Sequence, residues 1–198
     1  MKHAPLRWNR EHGLDMSKSG LSSLNVRTNR YEVASLIVVS ACLAGLKVRY
    51  NGTDCLDKNI EQLVKAKKAV TVCPELLGGF STPREPAEIV GGTGEDVLSG
   101  HARVVELSGR DVTERYLEGA QQALRTAREL GALLIVLKED SPSCGSARIY
   151  NGEFDNKKMA GSGVTTALLR REGYTVISEH ELSAYAAQPE YASLFSAS

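Results

Sequence analysis

The stretch "SLIVVSACLAG", residues 35–45, decides how the rest of the chain reads. Leu36 to Ala41 is a continuous apolar run of strand length, the pattern of a strand covered on both faces. It ends at Cys42 and turns at Gly45. Two other buried-strand patterns end in the same way. Ala69-Val70-Thr71-Val72 runs into Cys73-Pro74, and Leu133 to Leu137 runs through a charged turn into "SPSCG", residues 141–145.

Helical patterns fill the intervals. Residues 57–68 carry Ile60, Leu63 and Val64 on one face, with Lys65, Lys67 and Lys68 favouring the C-terminal end. Residues 111–130 form the clearest helix, with Leu117, Ala120, Leu124 and Ala127 as its apolar stripe, Asp111 or Thr113 as its cap and Gly131 as its stop. Residues 164–172, closed by Gly173, predict a further helix, residues 174–177 a last strand and residues 181–187 a terminal helix. The stretch from Leu76 to Gly100 is rich in Gly and Pro and reads as largely loop, with a short strand near Ala102 to Leu107.

Strands alternating with helices predict an α/β protein: three layers, a mainly parallel sheet with helices on both faces, in a single compact domain over residues 35–198. The order of its strands stays open. Residues 1–34 are polar and without sustained period, and read as a flexible N-terminal arm that Trp8 could anchor.

Composition narrows the function classes. The chain has 198 residues, 42% of them apolar, with 24 acidic and 24 basic side chains and no net charge. This balance argues against a nucleic-acid binder that relies on a broad basic surface. No apolar run approaches the ~20 residues of a membrane span, and the first residues hold no apolar signal segment, so a cytoplasmic protein is expected. In that compartment its four cysteines are expected reduced, metal-bound or catalytic rather than paired in structural disulfides.

In open α/β sheets, ligands bind outside the carboxyl ends of the strands. Cys42, Cys73 and Cys144 each follow a strand, so residues far apart in sequence should meet at one sheet edge. One such cysteine is ordinarily a small buried apolar residue; three of them, each followed by a turn, suggest a shared soft-metal site, zinc or iron–sulfur. Their spacing matches no compact zinc or ferredoxin motif. Cys55 lies in the loop before the first helix, as a fourth ligand or a bystander. Polar residues gather in the same loops: Arg49, Tyr50 and Asn51 after Cys42; Glu75 after Cys73; Arg84 and Glu85 in "STPREPAEI"; Ser141 and Ser143 flanking Cys144. Near a metal, Glu75 could move protons; alone, it reads as a cap or surface carboxylate. Arg49 and Arg84 could bind an anionic or carbonyl-bearing ligand, or pair with Glu75 and Glu85. The glycines form no nucleotide-binding loop. His101 and His180 have no partner motif.

The motifs "SACLAGLKVRYNG", "VCPELLGGFSTPREPAEI" and "LKEDSPSCG", in this order, resemble the DUF523 family, whose characterised members are thiouracil desulfurases. The resemblance covers roughly residues 35–180. It implies a [4Fe-4S] cluster on Cys42, Cys73 and Cys144, with one open iron taking the sulfur of a thiolated base such as 2-thiouracil without net redox chemistry. It also implies Glu75 in proton transfer and Ser141 and Ser143 as substrate or cluster contacts; the loop residues Arg49, Tyr50, Asn51, Arg84 and Glu85 are expected to bind the substrate. The arm and Cys55 have no counterpart in the motifs. Two rival readings remain: a non-catalytic protein whose four cysteines hold zinc or a closed cluster, and a metal-free enzyme with Cys144 as nucleophile. The absence of histidine from the three motifs weakens the last.

Overall fold

A computed structural model of the chain describes residues 36–195; the arm expected over residues 1–34, with Trp8, lies outside them. Four parallel strands form the central sheet, β1 (Ile37–Ser40), β2 (Ala69–Val72), β5 (Leu134–Leu137) and β8 (Val176–Ser178), in the order β2-β1-β5-β8. β1 pairs Ile37 with Ala69 on one side and with Leu134 on the other. Side chains alternate across such a strand. Val38, Ile135 and Leu137 therefore join one buried cluster, whereas Ile37, Val39, Leu134 and Val136 join a second. Each fully buried Leu or Ile contributes about 1.5–3 kcal/mol, so both faces need a helical cover.

Helices α4 (Thr113–Glu129) and α5 (Val164–Arg171) cover the first face through Tyr116, Ala120, Leu124, Leu168 and Leu169. α1 (Lys58–Lys65), α6 (Leu182–Ala186) and α7 (Ala192–Phe195) cover the second through Ile60, Leu63, Leu182 and Leu194. The expected three layers with helices on both faces are thus present. The Asp57 side chain caps α1 by accepting from the N–H groups of Asn59 and Ile60. α4 starts two residues later than expected: the Asp111 carboxylate accepts from the Thr113 N–H, and the Thr113 hydroxyl accepts from the Val104 N–H instead of capping.

The stretch expected to be mostly loop is more regular. It holds α2 (Pro74–Leu77), β3 (Ala87–Val90) and α3 (Gly94–Leu98), and β3 pairs antiparallel with β4 (Arg103–Glu106). Thr93 and Asp96 close α3 with a capping box. A second hairpin, β6 (Arg148–Tyr150) with β7 (Lys158–Ala160), follows the Cys144 turn. Gly78 and Gly119 let α2 lie directly on α4. A Cβ on Gly119 would stand 2.1 Å from the Pro74 carbonyl oxygen, and one on Gly78 would stand 2.1 Å from that of Arg115. This contact brings Glu75 to Tyr116.

Candidate active site

A cavity of about 230 Å³ opens at the carboxyl ends of β1, β2 and β5. The sheet order changes direction between β1 and β5, which is where α/β sheets place their ligands. Cys42, Cys73 and Cys144 all line this cavity, while Cys55 does not.

Each cysteine is held differently. Cys42 sits in a 3-10 turn, Ala41–Ala44, directly after β1, and its carbonyl accepts from the N–H groups of Gly45 and Cys55 (3.2 and 2.9 Å). Cys73 occupies the N-cap position of α2, with Pro74 as the first helical residue. Cys144 lies in a turn whose amides are gathered by the Ser141 hydroxyl, which accepts from Ser143 and Cys144 N–H at 3.1 Å each. The Thr166 hydroxyl donates to the Cys144 carbonyl (2.8 Å), fixing the turn to α5. Ser40 donates its hydroxyl toward the Cys144 sulfur at 3.7 Å and accepts from the Lys138 N–H at 3.0 Å.

Burial pushes the thiols of Cys42 and Cys144 up to about 12. The neighbouring cysteines add to the rise: Cys55 and Cys73 at Cys42, Cys73 and Cys42 at Cys144. Burial raises Cys73 as well. Without a cation among them, all three are neutral thiols at pH 7. Among the described residues no three His, Cys, Asp or Glu side chains are arranged, as they stand, around the position of a single metal ion. The three cysteines line the cavity from three separate elements.

Glu75 faces the cavity with both carboxylate oxygens engaged. The Arg84 guanidinium pairs with Oε2, and the buried Tyr116 hydroxyl donates to Oε1 at 3.1 Å. Burial pushes the Tyr116 phenol up, so it remains a donor. Arg84 also donates to the carbonyls of Val48 and Ser81. It therefore holds the site together from within, the ion-pair alternative of the two readings.

Most other residues singled out in the sequence gather at the same cavity. Ser141, Arg49, Tyr50 and Glu85 line it. Arg49 donates to the Thr53 hydroxyl and lies 5.9 Å from the centre of the Tyr50 ring. The Glu85 carboxylate accepts from the Ser108 N–H, and these Ser108 contacts hold it below its usual range. Ser143 and Asn51 stand outside. The Ser143 hydroxyl is buried against that of Thr165 at 2.8 Å, and the Asn51 carbonyl is held by Thr53.

The sequence reading missed Ser40, Tyr116, Lys138, Glu139 and Glu88. Lys138 and Glu139 stand at the end of β5, where the strand-end rule could have found them. Lys138 donates to Glu179 at 2.5 Å. Burial pulls its ammonium down, but the hydrogen bond and charge of Glu179 outweigh that and hold it up. Tyr116 carried no signal: the stripe read for its helix used Leu117, whereas the helix buries Tyr116.

Glu139 braces the Cys144 turn. It is 4% exposed, and its carboxylate accepts from the Ser146 hydroxyl and from the N–H groups of Ser146, Ala147 and Arg148. Burial alone would raise its carboxyl, but the Ser146 hydroxyl and the backbone N–H groups of Arg148, Ala147 and Asp140 overcome this and hold it below its ordinary 4.5. A carboxyl depressed on folding stabilises the protein above its unfolded pKa, and this contribution is lost as pH falls through the folded value. Glu139→Gln is expected to cost about 2 kcal/mol and to lower Tm by about 4–8 °C at neutral pH. The gap between variant and wild type should close as the pH falls below 4.5, as thermal melts followed by circular dichroism would show.

Comparison with known proteins follows the same lines. A family model described as 2-thiouracil desulfurase matches residues 37–181. A protein of Bacillus subtilis (strain 168), named "Uncharacterized protein YbbK", is 62% identical over 148 residues, which span 75% of this chain and 98% of that protein. Among solved structures, the [4Fe-4S]-dependent thiouracil desulfidase TudS is similar with a TM-score of 0.68 and 45% identity, over 77% of this chain and 95% of TudS.

Proposed function

The chain belongs to the 2-thiouracil desulfurase family, and from this premise we propose that its cavity holds a [4Fe-4S] cluster on Cys42, Cys73 and Cys144 and removes sulfur from a thiolated pyrimidine such as 2-thiouracil. The observation that carries the reading is the meeting of these three thiols with Glu75 around one cavity. Soft thiolates suit an iron–sulfur cluster. Buried thiols that raise one another's pKa can ionise together only around added positive charge. Ligands spread around a space suit a body of several metal atoms better than a single zinc ion. Cys55 acts on Cys42 from off the cavity wall, and the reading takes the three cysteines that line the cavity as the protein ligands. Cys144 as a metal-free nucleophile is disfavoured: its thiol is pushed up to about 12, and no histidine among the described residues lines the cavity.

When bound, such a cluster supplies a soft Lewis acid for the thiocarbonyl sulfur at an iron that carries no protein ligand. The rest of the chemistry belongs to the chain. The overall exchange converts C=S and water into C=O and hydrogen sulfide, so no electron acceptor or donor is needed. Glu75 takes a proton from the attacking water and returns it to the departing sulfur. Arg84 and Tyr116 hold its two oxygens, so the carboxylate meets the water in one orientation. Ser141 keeps its own hydroxyl proton to donate into the cavity, since its lone pairs already serve the turn. Arg49 and Tyr50 flank the base at the rim.

Anaerobic reconstitution with iron and sulfide tests the reading. The wild-type protein is expected to turn brown, to bind about four irons per chain and to release sulfide from 2-thiouracil. Cys55→Ser is expected to keep the same iron content and spectrum. Loss of metal in that variant would instead support the closed, four-cysteine site.

A further inference from the structure

Glu88 is a buried carboxylate at the cavity to which the reaction above gives no task. It lies on β3 between Ala87 and Ile89, both of which pack into the core, and is 8% exposed. Its Oε2 accepts from the N–H groups of Gly152 (2.9 Å) and Phe154 (3.2 Å), in the loop between β6 and β7. That loop lies hard against β3: Gly152 has a φ of 87°, and a Cβ there would stand 2.4 Å from the Ile89 carbonyl oxygen. Glu88 is thereby held in one place from behind. Its other oxygen, Oε1, takes part in no hydrogen bond among the described residues, and the side chain forms part of the cavity wall.

A carboxylate is an acceptor only, and Oε1, on a side chain that lines the cavity and has its other oxygen already held, is free to accept a donor from what fills the cavity. A thiolated pyrimidine of the 2-thiouracil type carries an N–H on each side of its C=S group, and these are the donors nearest the reacting carbon. We propose that Glu88 accepts one of these ring N–H groups and so restricts the enzyme to cyclic thioamides with a free N–H beside the thiocarbonyl. The assignment rests on the desulfurase reading given above. A fixed acceptor for a substrate N–H discriminates strongly against analogues that lack it, because the buried acceptor is then left unpaired.

The test compares reconstituted wild-type protein with Glu88→Gln on 2-thiouracil, 1-methyl-2-thiouracil and 3-methyl-2-thiouracil, following sulfide release. In the wild type, methylation of one nitrogen should lower kcat/KM by at least about tenfold. In Glu88→Gln the parent substrate should lose at least about tenfold, and the added penalty for the methyl group should fall below about threefold. A wild-type enzyme that handles both methylated substrates as well as the parent overturns the proposal without any variant. An unchanged methyl penalty in Glu88→Gln, with the brown absorption intact, overturns it too. Should Glu88→Gln not fold, Glu88→Asp, which withdraws the acceptor by one methylene, takes its place with the same criteria. A reconstituted wild type that releases no sulfide from 2-thiouracil overturns the desulfurase reading itself, and the Glu88 assignment falls with it.

Discussion

Alanine at position 73 is expected to leave a folded, colourless protein with less than about one iron per chain and desulfuration reduced by at least about a thousandfold. Cys73 is partly exposed at the head of a one-turn helix that Pro74 and the α2–α4 contact hold in place, so its thiol adds little to the core. The melting temperature of the metal-free protein should therefore change little. Two thiols, Cys42 and Cys144, would remain on the cavity wall, too few to hold four irons. Iron analysis, the visible spectrum and sulfide release measured on one preparation separate the outcomes. A variant that loses its iron but keeps full activity would remove the cluster from the mechanism.

Glu75→Gln should show the complementary pattern, with iron content and colour unchanged and kcat lowered by about 10²–10⁴. Glutamine keeps one oxygen to accept from either Tyr116 or Arg84, turns its amide toward the other donor, and cannot exchange a proton. The substitution also leaves the Arg84 guanidinium, whose side chain is 5% exposed, without its counter-charge. A fall in melting temperature is expected beside the kinetic loss. Steady-state rates on colour-matched preparations isolate the chemical effect. An activity near wild type would move the proton-transfer role away from Glu75, with the Ser141 hydroxyl next to be tested.

The sheet and the cysteines were legible in the sequence because each depends on local pattern. Residues 37–40 and 134–137 are short runs buried on both faces, residues 69–72 form a half-buried edge strand, and the strand-end rule places their following residues on one edge. β3, β6 and β7 were not legible. They have three or four residues each, and the exposed Arg148 and Lys158 break any apolar run. Their pairing is decided by what they fold against. The same holds for Tyr116 and Glu88: Tyr116 lay outside the apolar stripe read for its helix, and its contact with Glu75 exists only because Gly78 meets α4. Ser143 is an intermediate case. Its hydroxyl is buried against that of Thr165, off the cavity wall, yet its side chain also hydrogen-bonds the Cys144 thiol and draws its pKa down.

The connectivity of the sheet also fixes when the three cysteines meet. β1 brings Cys42 to the middle of the sheet, but Cys144 arrives beside it only once β5 has joined the other edge of β1. In a zinc finger, metal closes a short loop and drives folding. Here the donors are assembled by long-range strand pairing, the slow part of an α/β topology. On the proposed reading a cluster would be loaded into a completed sheet, and a delivery partner would meet a folded client whose three thiols line one opening.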